Sequence, residues 1–133
     1  MVIAFTIPGK PFAKQRPRFS RRNGRAFTPA ETVSFERQVG MIAAQHVAEP
    51  IAGPVAIEIV AVFEPPASAS KKRRAESLGR PHTQKPDLDN CVKAITDGLN
   101  RIAFADDSQI AEIRCRKTWG SPAQTTVFVR GIE

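Results

Sequence analysis

The sequence predicts a single domain of mixed α/β (α+β) class, one mixed sheet covered by helices, and three observations predict it. The 133 residues suit one hydrophobic core but leave too little chain for two. Apolar residues make up 41% of the chain, enough to drive folding. Their spacing switches between period two and helical period in the order strand, helix, strand, helix, strand, strand.

Residues 2–7 read as a short apolar strand with Thr6 as its polar interruption, and Pro8, Gly9 and Pro11 break it. Between Arg16 and Phe27, Asn23-Gly24 is a strong signal for a tight hairpin turn. Thr28-Pro29-Ala30-Glu31 has the pattern of a helix start, with Thr28 as N-cap and Glu31 three residues on. That helix is expected to run to about residue 48, burying Phe35, Val39, Ile42 and His46, before Pro50 and Gly53 end it.

Residues 55–63 set Val55, Ile57, Ile59, Ala61 and Phe63 against Ala56, Glu58, Val60 and Val62. A strand apolar on nearly both faces belongs inside a sheet. Residues 65–84, with Pro65-Pro66 and the run Lys71-Lys72-Arg73-Arg74, are expected to form a mobile basic loop within the one domain 1–133. A second helix is expected at 89–102, with Val92, Ile95, Leu99 and Ile102 at helical spacing. Asp106-Asp107-Ser108 reads as a turn. Residues 109–118 and 125–129 read as a closing pair of strands around Gly120-Ser121-Pro122.

Twenty Lys and Arg against thirteen Asp and Glu give a formal charge of +7, which favours a polyanionic partner. The charge is concentrated: Lys10, Lys14, Arg16, Arg18, Arg21, Arg22 and Arg25 share one stretch without an acid, interleaved with Phe12, Phe19 and Phe27. Together with Lys71, Lys72, Arg73, Arg74 and Lys85 they are the candidate nucleic-acid contacts. Such phosphate contacts set affinity and carry little sequence information.

No apolar run approaches the ~20 residues of a membrane helix. Lys10 and Lys14 follow too short an apolar start for a signal peptide. Cys91 and Cys115 lack metal-type spacing and are too few for a disulfide framework, so both are expected as reduced, buried thiols in the cytoplasm. His46 and His82 stand apart from other ligand types, which argues against zinc. Neither a membrane nor a small-molecule substrate is expected. The chain has no Tyr and a single Trp, Trp119, which disfavours an RNA-stacking platform.

The informative acids lie in Lys85-Pro86-Asp87-Leu88-Asp89-Asn90, followed by Lys93 and then by Asp106-Asp107. Carboxylates two apart diverge on a helix but share a side of an extended chain. With Pro86 keeping Lys85 out of helix and Asp89 as N-cap, Asp87 and Asp89 could converge. Packing of the Asp106-Asp107 turn against the next strand could add a third carboxylate. Clustered carboxylates suit a hard cation such as Mg²⁺, which activates water against a phosphodiester, and a lysine such as Lys93 offsets charge on the scissile phosphate. Each acid also has a structural explanation, as a helix cap or turn residue. Asp97 fits a surface ion ladder with Lys93 and Arg101. Glu58 is a candidate fourth acid that spacing does not place.

Lys85-Pro86-Asp87-Leu88-Asp89-Asn90, Lys93, Asp97-Gly98-Leu99-Asn100 and Phe104-Ala105-Asp106-Asp107-Ser108-Gln109-Ile110 together resemble the signature of the RusA family of Holliday junction resolvases. Ile7-Pro8-Gly9-Lys10-Pro11 and Lys14-Gln15-Arg16-Pro17-Arg18 are similar to that family's opening. The resemblance covers residues 2 to about 112. It implies a homodimeric, Mg²⁺-dependent endonuclease that cuts four-way DNA junctions by paired incisions; how well Mn²⁺ replaces Mg²⁺ is not written in the sequence. By position, Asp87, Asp89 and Asp107 would be the metal-binding catalytic carboxylates, with Asp106 the lesser assignment, and Lys93 the catalytic lysine. A two-fold dimer matches the approximate symmetry of such a junction. Two rival readings are a DNA-binding module without catalysis and a nuclease that cuts flaps and forks equally well.

Overall fold

A computed structural model describes residues 2–133. Strand β1 (Val2–Pro8) lies where the sequence reading expects a strand, and its residues alternate exposed and buried. Two two-residue strands, β2 (Arg18–Phe19) and β3 (Ala26–Phe27), pair antiparallel as a basic hairpin. The turn between them is longer than a two-residue Asn-Gly turn. Ser20 and Arg25 close it, Asn23 Oδ1 accepts from the Arg25 N–H at 2.9 Å, and Gly24 takes the left-handed φ of 67°.

Helix α1 (Ala30–Ala44) begins later than a Thr28 cap would place it. Pro29 occupies the cap position, and no side chain caps the helix. Val39 and Ala43 are buried, joined by Thr32 and Gly40, while His46 lies past the helix, exposed and stacked on Phe5. Strand β4 (Val55–Phe63) spans the expected residues.

The segment expected as a loop contains a short helix, α2 (Lys71–Ser77), whose first turn is capped by the Ser70 hydroxyl. Helix α3 (Leu88–Leu99) starts before the expected Asp89, so Asp87 is the extended cap residue and Asp89 lies inside the first turn. A 3-10 turn (Asp107–Gln109) leads into β5 (Ile110–Trp119), and β6 (Gln124–Gly131) ends the fold.

The sheet order is β1-β6-β4-β5. The expected closing pair of strands is therefore not a hairpin. β4 lies between β5 and β6, parallel to the first and antiparallel to the second. The chain crosses the end of β4 instead, where the Gly120 N–H donates to the Phe63 carbonyl at 2.9 Å. An interior β4 explains why both of its faces are apolar.

The main core joins Ile3, Phe5, Ile7, Val55, Ile57, Ile59, Val127 and Val129 from the sheet to Val39 and Ala43 of α1 and Ile95 and Leu99 of α3. The helices approach so closely that a Cβ on Gly98 would stand 2.7 Å from the Val39 Cβ. The other sheet face carries Val2, Glu58, Glu112, Arg114, Phe128 and Arg130 in a shallow cavity.

The parallel β4–β5 crossover fixes where the acids lie. The chain leaves β4 at Phe63, passes through α2, and descends α3 to the end of the sheet where β5 starts. The N-terminus of α3 thus sits at the Phe63–Trp119 end, and its C-terminus at the Val55–Ile110 end.

Candidate active site and nucleic-acid interface

Asp87 and Asp89 are both exposed at the mouth of α3, and among the described residues neither carboxylate takes a hydrogen bond or an ion pair. Two unpaired negative charges at a helix N-terminus are stabilised by the macrodipole. They are also hard oxygen donors free to take a cation.

The segment carrying them is anchored by a residue that sequence reasoning missed. Lys117, on β5, donates from Nζ to the Gln84 carbonyl at 2.6 Å and to the Pro86 carbonyl, and lies 5.8 Å from the centroid of the Phe63 ring. The signal was available: Ile113, Cys115, Lys117 and Trp119 share one face of β5, and a lysine interrupts that apolar series.

Under the loop, Cys91 is buried against Phe63 and Ala61. Burial pushes its thiol up, Lys117 opposes this, and the nearby charges of Asp89 and Asp87 push it further up. Cys115 is raised to about 11, mainly by burial. Both are free thiols. His82 is buried, stacked on Phe63 at 4.0 Å and tilted against Trp119 at 4.3 Å, and burial followed by Lys117 lowers its pKa.

Lys14 is expected from sequence among the DNA contacts, but the structure commits it to the fold. Its Nζ bridges Glu36 of α1 at 3.0 Å and Asp97 of α3 at 2.5 Å. Burial lowers its pKa, but the hydrogen bonds to Asp97 and Glu36 outweigh that and leave it raised. The Lys14 N–H also donates to the Asn90 carbonyl at 2.9 Å, so the base of the hairpin segment is fastened beside Asp89. Lys93 is exposed and pairs with Asp97 at 3.4 Å, the i,i+4 half of the expected ladder. Arg101 lies beyond the helix with φ 69° and takes no part in an ion pair among the described residues.

The other basic candidates divide similarly. Lys10, Arg16, Arg18, Arg21, Arg22 and Arg25 stand at least partly exposed, as do Lys71, Lys72, Arg73 and Lys85. Arg74 instead points inward and donates to the Pro65 and Pro66 carbonyls at 3.2 and 3.0 Å, pinning α2 to the end of β4. A cavity of about 440 Å³ beside the loop is lined by Lys10, Lys85, His82 and Trp119 among others.

The Asp106-Asp107 pair resolves into different jobs. The Asp106 carboxylate accepts from the Ser108 N–H at 3.0 Å, and Gln109 Oε1 accepts from the Asp106 N–H at 3.0 Å, a reciprocal cap. These bonds hold the Asp106 carboxyl below its usual range. Asp107 is exposed and outside that cap.

One expectation fails within a single chain. Packing against the next strand does not carry the Asp106-Asp107 turn to Asp87 and Asp89. Gln109 Nε2 ties that turn to the Ile51 and Gly53 carbonyls at 2.8 Å each, at the far end of β4. Among the described residues no group of three or more His, Cys, Asp or Glu side chains is placed to hold a metal. Asp87 and Asp89 are neighbouring oxygen donors at the helix mouth, and the full trio does not assemble within the chain. Glu58 is remote too, on the sheet face away from the helices.

Fold and site define a class: a small mixed-sheet domain that presents free carboxylates amid exposed cations, as a phosphodiester-directed enzyme requires. The chain belongs to the RusA family of endodeoxyribonucleases, since the family model described as Endodeoxyribonuclease RusA matches residues 8–130. It is also similar to the uncharacterised protein YqaN of Bacillus subtilis (strain 168). The two are 38% identical over 138 residues, 98% of this chain and 96% of the relative. No helix among the described residues is long and apolar enough to cross a membrane.

Proposed function

We propose that this protein is a homodimeric, Mg²⁺-dependent endodeoxyribonuclease that resolves four-way DNA junctions by paired phosphodiester hydrolysis in recombination and repair. The observation that carries the reading is the pair Asp87 and Asp89, free of protein partners at the mouth of α3 within the segment the family model matches. Residues that only capped a helix would spend their oxygens on its N–H groups, and the Asp87 side chain caps none.

In this reading Asp87 and Asp89 hold Mg²⁺, and Asp107, remote from them in one chain, joins as the third acid from the homodimer's second copy. A bound Mg²⁺ supplies Lewis-acid stabilisation and a more acidic water. Lys93, one turn along α3, offsets charge on the phosphate. The exposed arginines of the β2–β3 hairpin, Lys10, Lys85 and the outer face of α2 bind the junction's phosphates, and the metal site works within the cytoplasm on branched DNA. Mn²⁺ substitutes for Mg²⁺.

Cleavage of a synthetic four-way junction, a flap and a linear duplex, each with and without Mg²⁺, tests this. The proposal expects metal-dependent cutting confined to the junction. Equal cutting of the flap replaces it with a general branched-DNA nuclease, and binding without cutting under any divalent metal replaces it with a DNA-binding module.

A further inference from the structure

The chain's single tryptophan, Trp119, lies at the end of the sheet where α3 begins, and two cavities meet at it. One, of about 440 Å³, holds Lys10 and Lys85, and the other, of about 250 Å³, holds Arg73 of α2. Trp119, Gln84, Pro65 and Pro66 line both. The two therefore form one groove, with an aromatic ring between cations at either end.

Trp119 is held firmly in this place. Its N–H donates to the Arg80 carbonyl at 3.0 Å, its carbonyl accepts from the Gly79 N–H at 2.8 Å, and the His82 ring backs it at 4.3 Å. Arg74 fixes the Pro65–Pro66 wall in turn. The polar groups of the groove, by contrast, are uncommitted. Lys10, Arg73, Gln84 and Lys85 are exposed, and among the described residues their side chains make no hydrogen bond or ion pair. Gln84 holds Lys117 through its backbone carbonyl, which leaves its side-chain amide free. Glu64, the one acid on these walls among the described residues, accepts from the Ser121 hydroxyl at 2.9 Å.

We infer that this groove binds one unpaired DNA nucleotide, its base stacked on Trp119 and read by the Gln84 amide, its flanking phosphates on Arg73 and Lys85. The inference rests on the nuclease reading above for the identity of the strand, and it adds a site that sets where along the strand the cut falls. An aromatic face takes a base by stacking, and cations take the phosphates on either side. A free carboxamide both donates to and accepts from a base edge. One ring seats one base, unlike the multi-ring platforms that follow a run of RNA. Inside a duplex the bases are paired and stacked, so Trp119 meets one only where a strand opens, as at a branch point. Gln84 stands three residues before Asp87, in the loop that Lys117 anchors. A base seated there fixes which neighbouring phosphate comes to the mouth of α3. The groove thus couples recognition of an opened strand to the register of the cut.

With one tryptophan and no tyrosine in the chain, the tryptophan fluorescence of wild type reports this position alone. The test titrates wild type with a short single-stranded DNA and with a blunt duplex of the same sequence, in the absence of divalent metal so that nothing is cut. Anisotropy of a dye on the DNA reads binding in parallel. The single strand is expected to quench Trp119 saturably, and the duplex to bind through its phosphates without quenching. Trp119→Leu is expected to bind the single strand about 5- to 150-fold more weakly, the loss of one base–aromatic stack, with duplex binding unchanged. Because Trp119 also packs against the fold, Gln84→Ala supplies a second variant at an exposed side chain. It is expected to keep the quench, to narrow the differences in affinity among strands of different base, and to shift the nicks mapped in a four-way junction away from the wild-type positions.

A single strand bound without quenching, or a duplex that quenches as deeply, overturns the groove and leaves the nuclease reading standing. Tighter quenching by an RNA strand of the same sequence overturns DNA as the occupant. Wild-type nick positions from Gln84→Ala overturn the role in register. Protein that binds neither DNA overturns the nuclease reading together with the groove.

Discussion

Lys117 Nζ donates to the Pro86 carbonyl, so the residue next to Asp87 is fastened to the sheet by a lysine thirty-one positions away. A mouth loop that must hold carboxylates in one geometry gains that precision from a neighbour on a rigid strand. Lys117→Met should remove the anchor while keeping the stem's packing on Phe63. The expected loss is about 1.5–3 kcal/mol of stability, the range for hydrogen bonds from a charged donor. Junction cleavage should fall further than junction binding, and hydrogen exchange at residues 84–88 should quicken. Unchanged exchange would mean that Lys117 does not position the loop.

The α1–α3 crossing predicts the cost of a single methyl group. Gly98→Ala places a Cβ 2.7 Å from the Val39 Cβ and 3.2 Å from the Glu36 carbonyl oxygen, so the helices must separate. Overpacking of this kind costs about 1–3 kcal/mol. Chemical denaturation of Gly98→Ala against wild type measures it, and a neutral result would contradict the close crossing.

Lys14 joins α1 to α3 through Glu36 and Asp97. Its pKa is raised above 10.5 in the fold, so its contribution is fully present below that value and is lost as pH rises through the folded pKa. Lys14→Met leaves two carboxylates facing each other and should destabilise by about 1–2 kcal/mol, a partly buried pair being worth more than an exposed one. Thermal melts at neutral pH and at increasingly alkaline pH beyond 10.5 check this, since the difference between the proteins should shrink as Lys14 deprotonates. A gap that stays constant with pH would remove the charge from the explanation.

His82 titrates in the opposite direction. Burial between Phe63 and Trp119 lowers its pKa below 6.5, so protonation favours the unfolded chain. Stability should therefore fall as pH drops below 6.5 and level off beneath the folded pKa. His82→Phe keeps the aromatic stack and should flatten that slope in melts between neutral and mildly acid pH. An identical slope would assign the pH dependence to other groups.

The exposed cations of α2 should act through the DNA phosphates alone. Replacing Lys71, Lys72 and Arg73 with Ala is expected to weaken junction binding and to reduce the salt slope, by roughly 0.9 for each duplex phosphate no longer neutralised. Arg74→Ala should instead loosen α2, since its guanidinium is spent on Pro65 and Pro66. A triple variant with an unchanged salt slope would exclude α2 from the DNA interface.

Much of this architecture could be read from residue order. The two-sided apolar pattern of residues 55–63 announced an interior strand, and the motifs read in the sequence pointed to the family whose model matches residues 8–130. What escaped the sequence reading is decided at long range. Strands β5 and β6 are neighbours in the chain, but β4 takes the place between them, and no local signal records that insertion. The composition of 65–84 looks irregular, yet Ser70 and Arg74 supply a cap and a clamp to a short helix. Lys14 and Lys117 look like ordinary surface cations in sequence and are structural in the fold. Asp106 and Asp107 are adjacent and chemically identical, and only Gln109 reaching back shows which one the cap uses.

The most direct test of the central claim is strand-resolved mapping of nicks in a four-way junction, comparing wild type with Asp89→Asn in Mg²⁺ and measuring binding in the same reactions. The account predicts paired, symmetric nicks from wild type, and from Asp89→Asn no nicks with junction binding retained or tightened. Nicking by Asp89→Asn at the wild-type rate, or a junction that wild type binds without cutting, would contradict it.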